Sequence, residues 1–237
     1  MTVTNSRVIL HLPKTAGSTV RWRAMENDGF QYACQHCSFK MLPNEYKGMK
    51  IVSFIREPLD WYVSYYEFTK KRFINKGDIS LLFVKEFSED FEKSFQETLP
   101  LLLDLTKTFK ENPLMLEKFK LTLKSLTCNK YVAFASSYFD NISTITPESF
   151  EHKSMYQWYY DIIGLDNATV YRIEDQFEEG MLEFNATPRG RRTEFRKKNQ
   201  NTDRDETDTY YTKELKEMVL KADKYIINKH YSSYYGS

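Results

Sequence analysis

An α/β fold with a parallel β-sheet flanked by helices, and with a helical insertion, is predicted by three features of the chain. Val8 to Leu12 (V-I-L-H-L) and Ile51 to Ile55 (I-V-S-F-I) are short apolar runs rich in β-branched residues, as buried strands are. Each run passes through a turn into a helical pattern. Two strand-turn-helix units in the first 70 or so residues are the signature of parallel strands joined by crossovers.

In chain order, the first strand ends at Pro13, and Gly17-Ser18-Thr19 opens a helix that runs to about Asn27. After the second strand, Pro58 stands where a first helical turn tolerates proline, and the helix carries Trp61, Tyr62, Tyr65, Tyr66 and Phe68. From about Ile79 to Leu126 the pattern is helical with many Lys and Glu, which predicts an insertion, or a lid, of two or three helices. A helix is predicted over Pro147 to Ile162, a third strand over Val170 to Ile173, and an acidic helix over Glu174 to Phe184. A polar, basic loop follows, over about Asn185 to Thr209. The last helix, about Thr212 to Lys229, places Leu215, Val219, Ala222 and Ile226 on one face. The tyrosine-rich tail from His230 reads as a frayed end. No repeats are visible, and 237 residues suit one domain with its insertion.

Composition excludes several classes of function. A net charge of +1 provides no global field for nucleic acid, so any anion site must be local. Three cysteines make no disulfide framework, and Cys34-Gln-His-Cys37 has no second ligand pair for zinc, so no metal is expected and the thiols read as reduced. No segment approaches the ~18–20 apolar residues of a transmembrane helix and no signal peptide is visible, so the expected location is cytoplasmic, in a bacterium or encoded by a virus, rather than Golgi-anchored. The 17 tyrosines suit either core packing or a surface for sugar or nucleotide.

The most informative segment is His11-Leu-Pro-Lys-Thr-Ala-Gly-Ser-Thr19. A buried strand leads into a tight turn, and the turn opens a helix whose first amides have no intrahelical acceptor. Those amides and the helix dipole favour an oxyanion. Lys14 adds positive charge, Ser18 and Thr19 add hydroxyls, and Gly17 allows close approach of the backbone. The arrangement is P-loop-like, although the pattern G-x-x-x-x-G-K-[ST] is absent. A second segment, Ile55-Arg-Glu-Pro-Leu-Asp-Trp-Tyr-Val-Ser64, leaves the second strand with Arg56 and carries Ser64 two helical turns on. A guanidinium and a hydroxyl at that spacing can hold one phosphate.

L-P-K-T-A-G-S-T resembles the 5′-phosphosulfate loop of sulfotransferases that use 3′-phosphoadenosine 5′-phosphosulfate (PAPS), and is closest to the carbohydrate sulfotransferases. Arg56, Pro58 and Ser64 fit that family's 3′-phosphate motif, R-x-P-x-x-x-x-x-S. The resemblance implies that Lys14, Thr15, Ala16, Gly17, Ser18 and Thr19 grip the 5′-phosphosulfate, with Lys14 neutralising charge on the bridging oxygen as adenosine 3′,5′-bisphosphate departs. It implies that Arg56 and Ser64 hold the 3′-phosphate.

Between the two motifs, His36-Cys-Ser38-Phe39 is similar to the H-x-H-[VL]-S-[YF] segment of uronyl 2-O-sulfotransferases, with Cys34 in place of the first histidine. An imidazole, with an unperturbed pKa near ~6.5, suits removal of the acceptor's proton, so His36 is the expected base. Gly190-Arg191-Arg192-Thr193 resembles the R-K-T loop of the same enzymes. It is read either as a loop closing over the nucleotide, with Arg191 and Arg192 at the 3′-phosphate, or as a solvated basic stretch. The expected reaction is in-line sulfuryl transfer from PAPS to the hydroxyl of an acceptor, expected to be a glycan. The alternatives are an ATP-dependent phosphotransferase and a non-enzymatic binder of nucleotides or glycans. The first would need a magnesium ligand such as a strand-end Asp, which no apolar strand here supplies.

Overall fold

Alternation of side chains along the strands decides how this molecule is layered. The computed structural model describes residues 2–3, 7–25, 31–32, 38–74, 94–127, 142–184 and 206–236. Among them, β1 (Thr2–Val3), β2 (Arg7–Leu10), β3 (Gln31–Tyr32), β4 (Lys50–Ile55) and β5 (Thr169–Arg172) form one sheet in the order β3-β1-β2-β4-β5. The helices are α1 (Gly17–Ala24), α2 (Pro58–Ile74), α3 (Phe95–Leu103), α4 (Leu105–Glu111), α5 (Pro113–Thr127), α6 (Met155–Ile163), α7 (Phe177–Glu183), α8 (Lys213–Ala222), α9 (Lys224–His230) and α10 (Ser232–Tyr235).

The expected parallel sheet is present in part. β2, β4 and β5 are parallel neighbours, with Val8 beside Ile51 and Phe54 beside Tyr171. β1 runs antiparallel to both β2 and β3, so the whole sheet is mixed. Ile9, Val52, Phe54 and Tyr171 face one side, where they meet Val20 and Ala24 of α1 and Phe177 and Met181 of α7. The close seat of α7 depends on Gly180, where a Cβ would lie 2.6 Å from the Phe54 ring. Val8, Leu10, Ile51 and Ile55 face the other side and join a larger core built on α2 and α6. Fully burying each of these side chains contributes roughly 1.5–3 kcal/mol. The tyrosines Tyr62, Tyr65, Tyr156, Tyr160 and Tyr231 are all fully buried in that core, so none of these five presents its ring to solvent.

The described part of the predicted insertion is three helices, α3 to α5. Phe95, Leu99, Leu102, Leu105, Phe109, Leu116 and Phe119 belong to the same core cluster as Trp61, so this segment is packed into the body of the protein. Side-chain caps set its helix starts. Ser94 and Glu97 form a capping box on α3, and Asp104 accepts the Lys107 amide at 2.9 Å at the start of α4.

Three predicted elements differ. The helix expected over Pro147 to Ile162 is a short 3-10 turn, Pro147–Phe150, followed by α6, because Glu151 and His152 both take left-handed backbone (φ 50° and 55°), which an α-helix does not accommodate. The closing helix divides at Asp223 into α8 and α9. The tail is ordered rather than frayed: Tyr231 is fully buried and its hydroxyl donates to Glu174 Oε2 at 3.1 Å. No helix among the described residues is long and apolar enough to cross a membrane.

Asp223 interrupts the last helix for a reason visible in the core. Its side chain is fully buried and accepts from the Ser154 hydroxyl at 2.5 Å, and Ser154 in turn caps α6 through the Gln157 amide at 3.0 Å. Burial pushes the Asp223 carboxyl up to about 7, against the pull of the Ser154 hydrogen bond. A carboxyl whose folded pKa is raised binds its proton more tightly in the folded state. Its contribution to stability is therefore complete below the unfolded value near 3.8 and is lost as pH rises towards 7. Asp223→Asn keeps the shape without the charge. It is expected to raise the melting temperature at pH 8 by several degrees and to leave it little changed at pH 4. Glu57, pushed up to about 7 by burial, gives a slope of the same sign that the variant retains. Equal melting-temperature differences between variant and wild type at pH 4 and pH 8 would contradict this assignment.

Candidate functional site at the carboxyl ends of β2 and β4

β2 and β4 are parallel neighbours, so the segments that follow them emerge at the same sheet edge. In open α/β sheets this edge is where ligands bind. The loop after β2 is held from beneath by side-chain donors. Ser53 Oγ donates to the Leu10 carbonyl at 2.8 Å, Thr15 Oγ1 to the Leu12 carbonyl at 2.8 Å and the Trp61 indole to the Pro13 carbonyl at 2.8 Å. Arg56 Nη1 donates to the Lys14 carbonyl at 3.3 Å. In a trans peptide the N–H points opposite to the C=O. Fixing the Pro13 and Lys14 carbonyls towards Trp61 and Arg56 therefore turns the amides of Lys14 and Thr15 away from those donors.

Lys14 and Ala16 both adopt left-handed backbone, with φ 67° and 58°. For residues with a Cβ this costs roughly 1–2 kcal/mol each. Ala16 caps α1 through its carbonyl, which accepts from the amides of Thr19 at 2.9 Å and Val20 at 3.0 Å. A left-handed residue followed by helical Gly17 gives the alternating geometry of an anion-binding nest. Ser18 is exposed in the first turn of α1, whereas Thr15 and Thr19 are buried, so Ser18 is the hydroxyl that faces outward.

Gly17 is required for a different reason from conformational freedom. A Cβ there would lie 1.6 Å from His11 Nε2 and 1.9 Å from His11 Cε1, because the Nε2 corner of the imidazole occupies that space. Gly17→Ala is expected to displace the ring and the loop with it, lowering the melting temperature and weakening anion binding at least tenfold. Gly17→Ala combined with His11→Ala is expected to recover part of both losses, since the two side chains compete for one space. Simple additivity of the two variants would show that the contact does not limit Gly17.

Arg56 ties the two segments together. Its backbone is fixed by Tyr156, whose hydroxyl donates to the Arg56 carbonyl at 2.6 Å and accepts from the Arg56 amide at 3.0 Å. Tyr156 stacks on Trp61 with centroids 4.5 Å apart, and Trp61 stacks on Tyr65 at 4.9 Å. The guanidinium Nη1 donates to Ser64 Oγ at 2.9 Å, and Nε donates to Asp60 Oδ2 at 2.5 Å. One turn beyond Ser64, the Phe68 ring carries the Lys14 ammonium 3.5 Å from its centroid. Asp60, Ser64 and Phe68 recur every four residues and form one ridge of α2 along the site. Glu57 starts that helix by accepting the amides of Leu59 at 3.0 Å and Asp60 at 2.7 Å.

Of the residues expected from sequence, the structure brings together Lys14 to Thr19, Arg56 and Ser64. His36, Arg191 and Arg192 lie outside the described residues. β3, which precedes His36, runs in the same direction as β2 across β1 and ends towards the same edge. Ser38 is buried, and Phe39 packs beside Gly164. Sequence reasoning missed Asp60, Trp61, Phe68 and Tyr156 as parts of the site. The four-residue spacing from Arg56 could have pointed to Asp60 and Phe68; nothing local points to Tyr156. A shallow depression of about 430 Å³ lined by Lys50, Ile51 and Thr169 sits at the opposite edge, where β4 and β5 begin, and holds none of these residues. Among the described residues no three His, Cys, Asp or Glu side chains group as a metal site.

No family model, no curated protein and no solved structure matches this chain. The site therefore stands on its own geometry: an amide-lined turn, a lysine, and an arginine-serine pair at one sheet edge.

Proposed function

We propose that this protein is a sulfotransferase that moves the sulfuryl group of PAPS to a hydroxyl of a carbohydrate acceptor. The observation that carries the reading is the Arg56 guanidinium, 2.9 Å from Ser64 Oγ and 3.3 Å from the Lys14 carbonyl, which joins the two phosphate motifs of the sequence in one place. A ligand with anionic groups at two separated positions suits that pairing: a 5′-phosphosulfate on the turn and a 3′-phosphate on Arg56 and Ser64. The fold alone does not favour this chemistry over others. The carbohydrate acceptor rests on the likeness of the His36 segment to uronyl sulfotransferases.

In this reading the acceptor oxygen attacks sulfur in line as the bond from sulfur to the bridging phosphate oxygen breaks. Adenosine 3′,5′-bisphosphate leaves with the electron pair of that bond. Lys14 and the turn amides stabilise the charge that develops on the bridging oxygen. His36 takes the acceptor's proton. Arg191 and Arg192 add positive charge near the 3′-phosphate.

Thermal shift separates this reading from its rivals. Adenosine 3′,5′-bisphosphate at 100 times its Kd is expected to stabilise the protein by ~2.7 kcal/mol, with little effect from ATP and magnesium. Transfer of radiolabelled sulfate from PAPS onto glycan, lipid and phenol acceptors then identifies the acceptor. Stabilisation by ATP and magnesium with none by the bisphosphate would replace the sulfotransferase by a phosphotransferase. Bisphosphate binding without transfer to any acceptor would favour a binding protein.

A further inference from the structure

We propose that Asp60 is a positioning residue that orients the Arg56 guanidinium for the 3′-phosphate. The inference deepens the sulfotransferase reading and rests on it. A guanidinium has five N–H donors. In Arg56, Nε is held by Asp60 Oδ2 at 2.5 Å, and Nη1 is shared between Ser64 Oγ at 2.9 Å and the Lys14 carbonyl at 3.3 Å. Among the described residues nothing accepts from Nη2, so this nitrogen is left to donate to a ligand. Ser64 Oγ accepts from Nη1, so its own proton is also left to donate. Nη2 and the Ser64 hydroxyl thus form a pair of donors for one phosphate, and the ion pair with Asp60 holds that pair in register by stopping rotation about the end of the arginine side chain. Both partners are about four-fifths buried, at 20% and 22% side-chain exposure, so the contact is sheltered from water.

The second Asp60 oxygen is also engaged. Oδ1 accepts from the hydroxyl of Thr207, ahead of α8, at 2.8 Å. Tyr211 donates to the Leu59 carbonyl at 2.8 Å and Tyr210 to Glu67 Oε1 at 3.0 Å, so this segment is fastened along α2 on both sides of Asp60. A carboxylate beside the arginine weakens its general attraction for phosphate. What it adds is direction, and direction is what distinguishes a 3′-phosphate from any other anion.

The test is calorimetric titration of wild type, Asp60→Ala and Asp60→Asn with adenosine 3′,5′-bisphosphate and adenosine 5′-monophosphate. Wild type is expected to prefer the bisphosphate. Asp60→Ala is expected to reduce that preference at least tenfold, with monophosphate affinity unchanged or higher because a negative charge has gone. Asp60→Asn is expected to restore the preference, since its amide oxygen can accept from Nε and its NH₂ can donate to Thr207. Should the alanine variant not fold, Asp60→Ser, too short to reach Nε, is expected to show the same loss. A wild-type preference that survives in Asp60→Ala, or equal weakening towards both nucleotides, overturns the positioning role alone. No preference in wild type overturns the sulfotransferase reading and the role of Asp60 with it.

Discussion

Lys14→Ala is expected to lower kcat by ~100-fold or more, the loss found when a donor to developing transition-state charge is removed. The fold is expected to survive. Lys14 has φ 67°, and alanine bears the same left-handed cost as lysine, so the turn keeps its backbone. The carbonyl that Arg56 holds belongs to the main chain and remains. The resting protein loses, among other contacts, that of the ammonium with the Phe68 ring, about 0.5–1 kcal/mol at a partly exposed site. Bisphosphate affinity is expected to fall far less than kcat, because the ammonium matters most when the bridging oxygen gains charge. Single-turnover transfer from PAPS, with the melting temperature measured alongside, checks both parts. Wild-type turnover in a folded Lys14→Ala protein would remove the central chemical claim.

His36→Ala is expected to lower kcat by ~10² to 10⁴ while bisphosphate affinity stays nearly constant, the pattern for loss of a general base. The rate in wild type is expected to fall at low pH as the imidazole takes up its proton, with an apparent pKa that disappears in the variant. The neighbouring thiols of Cys34 and Cys37 offer a rival role in packing or metal binding. That role predicts loss of stability, or of bound zinc, together with loss of nucleotide binding. A folded His36→Ala protein with wild-type kcat and pH profile would rule out the base.

Local signals were sufficient wherever one stretch of chain sets its own structure. Short apolar runs with β-branched enrichment marked β2, β4 and β5 to within about two residues at each end. Pro58 marked the start of α2, and the turn before α1 was legible from Lys14, Gly17 and the following hydroxyls. The same was true of the Arg56–Ser64 pair, because Arg56 lies just ahead of α2 and the first turns of that helix bring Ser64 back beside it. Elsewhere the deciding contact is distant in sequence. The break at Asp223 answers to Ser154, 69 positions earlier, and the order of the tail answers to Glu174 through Tyr231, 57 positions away. No pattern within either helix announces such partners.

The sequence by itself therefore determined the α/β class and the order in which the turn before α1 and the arginine-serine pair follow their strands. Only the tertiary structure decided how they cooperate. It showed that Gly17 is small because His11 lies on it, and that Tyr156, 100 positions from Arg56, clamps the backbone of that arginine. It also showed that Asp60 stands between Arg56 and Thr207. The physical reason is the reach of the information. Periodicity and turn chemistry act over a few residues and are written locally, whereas the orientation of a buried charge depends on whichever donors and acceptors the folded chain brings within hydrogen-bond distance.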